Sequence, residues 1–224
     1  GLSLAGSTIT GGISNTGYIQ GLTASGIALV NSQVLGNLHN AGGTIAGVQN
    51  GLSMVGSVIS SGLTNAGLIT GTGVSSTGMA LASFSTIAGG LNNTANATIS
   101  GGQTGLSISG NSLLNGGLTN AGLITGGTYA INAPSLTSIV STGTASQFVG
   151  MVNAGSAALS VANGSTLTAG SAMTLSSVNV ANGGQINLAA NGSTVSGGVA
   201  VSNGFTNAGV VNVGQAAATI TGNY

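Results

Sequence analysis

The chain has 224 residues and contains no Asp, Glu, Lys, Arg or Cys. Ordinary globular chains carry about 25% charged residues, so its neutrality is a defining property. It excludes disulfides and thiolate metal sites, a nucleic-acid surface, which needs cations to meet phosphates, and acid–base catalysis by carboxylates.

The 43 glycines raise the question of disorder. Disordered chains are poor in β-branched residues and usually carry high net charge. This chain is 42% hydrophobic, with abundant Ile, Val and Thr, enough for a long, thin core. No apolar run reaches the roughly 18 residues of a membrane-spanning helix, so no membrane span is expected. The chain starts at Gly1 without a basic, then apolar, leader, so a secreted form is expected to be the processed one.

The sequence repeats itself. GISNTGYIQG (Gly12–Gly21) returns as GLTNAGLITG at Gly62–Gly71, and letter for letter at Gly117–Gly126. Looser copies are NLHNAGGTIAG (Asn37–Gly47) and GLNNTANATISG (Gly90–Gly101). The motif asparagines are Asn15, Asn40, Asn65, Asn93 and Asn120, at steps of 25, 25, 28 and 27 residues. The unit is therefore about 25 residues.

Each unit reads as short strands bounded by Gly and Asn, the alternation signal of β structure. Ile27 and Leu29, Val34, and Ile45 are the inward candidates of one unit. No apolar pattern of helical period runs to a useful length, and each Gly costs a helix about 1 kcal/mol. A unit this small cannot bury its apolar face alone; stacking neighbours makes one continuous core. The predicted fold is all-β, a β-solenoid. Its inward stack is Ile19, Ile45, Ile69, Ile99 and Ile124, and its motif asparagines form an amide ladder at the preceding turn, of the kind seen in stacked β structure. Gly17, Gly42, Gly67 and Gly122 are expected at positive φ in the corner. The fourth copy has Ala95 and Ala97 there, so its corner must differ.

Past residue 150 the pattern changes. VANG at Val161–Gly164 recurs at Val180–Gly183, and VSNG follows at Val201–Gly204, steps of 19 and 21. The coil is predicted to shorten to about 20 residues, with Asn-Gly corners in tight turns. The opening motif reappears as GFTNAGVVNVG at Gly204–Gly214. Residues 131–149, with the sole proline Pro134, read as a coil transition or a joint between a longer-coil part, 1–130, and a shorter-coil part, 150–224. At about 4.8 Å per coil, some nine coils make one elongated domain of roughly 45 Å.

GLTNAGLITG, and ANGGQINLAANGSTV at Ala181–Val195, resemble the β-helical passenger repeats of bacterial autotransporters and filamentous-haemagglutinin-like exoproteins. The resemblance implies a right-handed parallel β-helix, secreted and working outside a bacterial cell or on its surface. This chain departs from those passengers in having no charged residue, and it contains no membrane-anchoring barrel.

Chemistry-bearing candidates are few. His39, beside Asn40, has no carboxylate to orient it and no second ligand to share a metal, so it reads as a turn or surface residue. No catalytic residue, metal or cofactor is assigned. GGTIAG (Gly42–Gly47) lacks the lysine and the helix of a phosphate cradle. The Thr-x-Thr pairs Thr8/Thr10, Thr166/Thr168 and Thr219/Thr221 do not recur at coil spacing, which weakens an ice-binding array. Sequons stand at Asn92, Asn96, Asn163 and Asn191.

Both termini run in repeat sequence without the charges, prolines or caps that guard solenoid edges. The expected partner is therefore another copy of the chain, stacked head to tail into an open extracellular fibre or matrix. Leu2, Leu4 and Ile9 would contribute at one end, and Val211, Val213, Ile220 and Tyr224 at the other. The alternatives are an adhesin stalk binding a cell, host or abiotic surface through a lateral face, and an ice-binding solenoid.

Overall fold

The computed structural model describes residues 1–188, 199–213 and 220–221. They form an all-β solenoid of about eight turns, with parallel strands throughout and no helix among the described residues. At about 4.8 Å per coil the rod is about 38 Å long.

The first coil sets the plan. It has four strands: β1 (Leu2–Ala5), β2 (Thr8–Ile9), β3 (Ile13–Asn15) and β4 (Tyr18–Gly21). The next coil repeats them as Ser25–Val30, Gln33–Val34, Leu38–Asn40 and Thr44–Gly47. Strands stack directly on their equivalents, so each side of the coil becomes a column. On the β1 side Leu2 pairs with Ile27, Ile27 with Leu52, and Leu52 with Met79. The β3 side stacks Ile13, Leu38, Leu63, Leu91 and Leu118. The β4 side stacks Ile19, Ile45, Ile69, Ile99 and Ile124. Successive strand residues face opposite ways, and these columns face in. Ile45, Ile69, Ile99 and Ile124 are completely buried, whereas Ile19, in the first coil, is half-buried.

The β2 side is a separate five-stranded sheet. It runs from Thr8–Ile9 through Gln33–Val34, Val58–Ile59 and Thr86–Ile87 to Leu113–Leu114, and stops there. The fifth coil takes nine residues, 109–117, from Ile108 to Leu118. The sixth takes five, 134–138, between the matching positions Ala133 and Ile139. Those four missing residues are the short strand and a corner. Leu136 turns inward and is buried in their place. Residues 131–149 are thus a coil of the rod, with Ala133, Leu136, Ile139 and Phe148 in the continuous core.

The coil step on the β3 side falls from 25–28 residues to 21 (Leu118 to Ile139), 20 (Ile139 to Leu159) and 19 (Leu159 to Val178). The next step, Val178 to Phe205, is 27. The shorter coil is therefore not kept: that step contains the segment 189–198, which lies outside the described residues.

The corner glycines correct one expectation. Of Gly17, Gly42, Gly67 and Gly122, only Gly42 has positive φ, at 85°. Gly67 and Gly122 are needed for space, because a Cβ there would overlap the carbonyl oxygens of Gly43 and Ala97 in the neighbouring coil. In the fourth copy Asn96 takes the left-handed conformation, φ 64°, which Asn tolerates through local hydrogen bonding. The later Asn-Gly corners do place glycine at positive φ, with Gly164 at 69° and Gly183 at 76°.

Candidate functional site

The motif asparagines end their three-residue strands and point inward, rather than standing in the turn. Each Nδ2 donates to the Oδ1 of the next coil: Asn15 to Asn40 at 2.8 Å, Asn40 to Asn65 at 2.8 Å, Asn65 to Asn93 at 2.9 Å and Asn93 to Asn120 at 2.8 Å. A second bond from the same nitrogens reaches a β4-side carbonyl of the next coil, Leu68 O for Asn40 and Thr98 O for Asn65. The Gly17 and Gly67 N–H groups donate to the Oδ1 of Asn15 and Asn65. Buried amides require this satisfaction, since an unpaired one costs about 1–3 kcal/mol. The ladder closes at Asn120, whose Nδ2 donates to Ser146 Oγ at 3.0 Å. The column continues as Ser141, Val161 and Val180, then returns to asparagine at Asn207. Ser141 Oγ is buried with no hydrogen-bond partner among the described residues.

A second ladder, of serines, is not evident from the repeat motif. Ser32, Ser57, Ser85 and Ser112 are buried one above another at the corner between the β1 and β2 sides. Each Oγ accepts the backbone N–H of the equivalent serine one coil earlier, from Ser7 N to Ser32 Oγ at 3.1 Å through to Ser85 N to Ser112 Oγ at 3.0 Å. Each hydroxyl of Ser7, Ser32, Ser57 and Ser85 then donates to a carbonyl two or three residues back. The residue before each serine has positive φ: Gly6, Asn31, Gly56, Phe84 and Asn111. The spacing of these serines equals that of the asparagines, so the signal was present, hidden among many other serines.

Three of the seven expected end contacts, Leu2, Leu4 and Ile9, lie in the layer of residues 2–19. Leu2, Leu4, Ile9 and Ile19 are partly buried and packed on the core. Their column neighbours Ile27, Leu29, Val34 and Ile45 are completely buried. The layer therefore has the composition of the interior, with its side chains only partly buried. At the far end Val211 packs partly against the core. Val213 pairs by its backbone with Leu188, and Ile220 with Val199. Tyr224 lies outside the described residues.

The lateral faces are neutral and mixed. His39 sits on an outward row between Ser14 and Thr64, followed by Asn92 and Thr119. No group of three or more His, Cys, Asp or Glu is present among the described residues. Thr8 and Thr10 are exposed and Thr166 and Thr168 are half-exposed, whereas Thr219 lies outside the described residues. Asn92, Asn96 and Asn163 are exposed; Asn191 lies outside the described residues. Among the described residues no helix is long and apolar enough to cross a membrane.

These features make a β-solenoid repeat protein. No protein-family model matches the chain, and neither the curated proteins nor the solved structures contain a match.

Proposed function

We propose that this chain is a structural subunit of an extracellular bacterial fibre or matrix, assembled by stacking the coils of one copy on those of the next. The observation that carries the reading is the layer Leu2, Leu4, Ile9 and Ile19, which lies in the columns of the core and is only partly buried. Covering it repeats the contact already made at every internal coil boundary, and gains about 25 cal/mol for each Å² of apolar surface removed from water. Two further facts support it. No charge is available to repel a second copy, and no carboxylate, lysine or cysteine suggests chemistry. The likeness of GLTNAGLITG to autotransporter passenger repeats supports a location outside the cell. Stacking without a closing rotation gives an open filament.

The test is sedimentation of the 224-residue protein over a range of concentrations, with negative-stain electron microscopy. Filaments are expected, and Leu4→Lys should abolish them while the circular dichroism stays that of β structure. A concentration-independent monomer refutes the proposal.

The second reading is an adhesin stalk that meets a surface through a lateral face. It is favoured by Leu22, Val48 and Val74, exposed at the corner between the β4 and β1 sides of three successive coils. An ice-binding role is disfavoured by the outward row Ser14, His39, Thr64, Asn92 and Thr119, which breaks any regular threonine array. Thermal hysteresis in freezing solution would revive it.

A further inference from the structure

Where the coil narrows, the rod carries a notch of about 310 Å³. Its walls include Ser107, Gly110, Asn111, Asn132, Pro134 and Ser135. It exists because the short-strand sheet ends at Leu113–Leu114, leaving the fifth coil projecting past the sixth.

The narrowing also frees hydrogen-bonding groups. At the corner before each serine, a backbone N–H donates to the next coil: Gly6 N to Val30 O, Asn31 N to Val55 O, Gly56 N to Ala82 O and Phe84 N to Gly110 O, all at 2.8–3.2 Å. Asn111 N–H is the next in this series. Its acceptor would belong to the corner the sixth coil lacks, and it has no hydrogen bond among the described residues. Asn132 accepts from Asn153 Nδ2 at 2.9 Å through its Oδ1, and its own Nδ2 has no partner among the described residues. Ser107 stacks beside Asn132 on the same outward row, its hydroxyl also unengaged among the described residues. Ser135 Oγ is already committed, donating to Ser112 O at 3.3 Å.

The geometry points to this notch as a binding site for one pyranose unit of a neutral saccharide. The volume lies at the lower end of small-molecule sites, about 300–1,000 Å³. An ionic ligand would be desolvated with no opposite charge to meet it, because the chain has none. Sugar hydroxyls donate and accept at once. They match a backbone N–H, an amide NH₂ and a serine hydroxyl, and the Pro134 ring offers apolar surface to the sugar C–H groups. The site is independent of self-association.

The test is amide-resolved NMR of the full chain, titrated with methyl glucopyranoside, methyl galactopyranoside and N-acetylglucosamine at millimolar concentration, with sodium sulfate as the ionic control. Solution spectra serve if the protein is dispersed, and magic-angle spinning if it is fibrous. Saturable shifts are expected at the Asn111 backbone amide and the Asn132 side-chain amide for at least one sugar, with none for sulfate. Ser107→Val and Asn132→Leu should each weaken binding by about tenfold, as expected for one lost hydrogen bond. Ser53→Val, on the same row away from the notch, should leave it unchanged. No saturable shift with any of the three sugars, or equal shifts with Ser107→Val, overturns the assignment.

Discussion

Replacing Asn65 with Val tests what the amide ladder contributes. Asn65 is completely buried. It donates to Asn93 Oδ1 at 2.9 Å and Thr98 O at 3.0 Å, and accepts from Asn40 Nδ2 at 2.8 Å. The change leaves Asn93 Oδ1 with no donor in a dry column, at about 1–3 kcal/mol, and removes other bonds worth about 1 kcal/mol each. Valine recovers about 1 kcal/mol by burial, so the net loss should be about 3 kcal/mol. Replacing all five asparagines with Val leaves no side-chain amide orphaned, and the chain already stacks Val161 on Val180 in this column. The fivefold variant should therefore cost about 1 kcal/mol per site rather than three. The assay is urea unfolding followed by circular dichroism, with hydrogen exchange at Leu63–Asn65 and its stacked neighbours, since a solenoid can open locally. A single-variant cost under about 1 kcal/mol, or a fivefold variant as costly as five singles, refutes the reasoning.

Asn65→Asp should make stability depend on pH. Burial without any cation raises the folded-state carboxyl pKa above its unfolded value of about 3.9. The folded state then holds its proton longer, so stability is full below about pH 4 and falls by about 1.4 kcal/mol per unit as pH rises to the folded pKa. The parent chain, titrated alongside, should stay flat through that acid range. Phe84 has φ 64° and is 71% exposed; Phe84→Asn should raise stability by about 1 kcal/mol, read as a higher urea midpoint, because a left-handed bulky residue is strained and little burial is lost. Gly67→Ala should destabilise strongly through its overlap with Gly43 O, whereas Gly17→Ala, which meets nothing within 4 Å, should be neutral or slightly stabilising; thermal melts of the two variants decide.

The solenoid and the asparagine ladder were legible because the motif repeats almost unchanged, and because stacking forces equivalent residues into one column. The serine ladder has the same spacing but lies in variable surroundings, GSTIT, NSQVL, GSVIS, FSTIA and NSLLN. Only the backbone shows that their shared feature is a left-handed residue before the serine. The corner glycines were misjudged because sequence does not separate the two uses of Gly: Gly42 is there for positive φ, Gly67 for close approach between coils. The narrowing at Pro134 was visible as a change of pattern. That it deletes one side of the coil, and so opens a notch, depends on which column each residue joins.

The ladder asparagines all donate in one sense along the rod. Turning one amide over would set NH₂ against NH₂ on one side and oxygen against oxygen on the other. The Gly17 and Gly67 N–H groups bind the Oδ1 of Asn15 and Asn65, while the Gly43 and Gly122 carbonyls bind the Nδ2 of Asn40 and Asn120, which fixes the sense. The five side chains therefore share one orientational state and can reverse only as a set, each strengthened by polarisation from the next. In a molecule without a charged side chain, this column of aligned amide dipoles is a built-in arrow that makes the two ends of the rod electrically different.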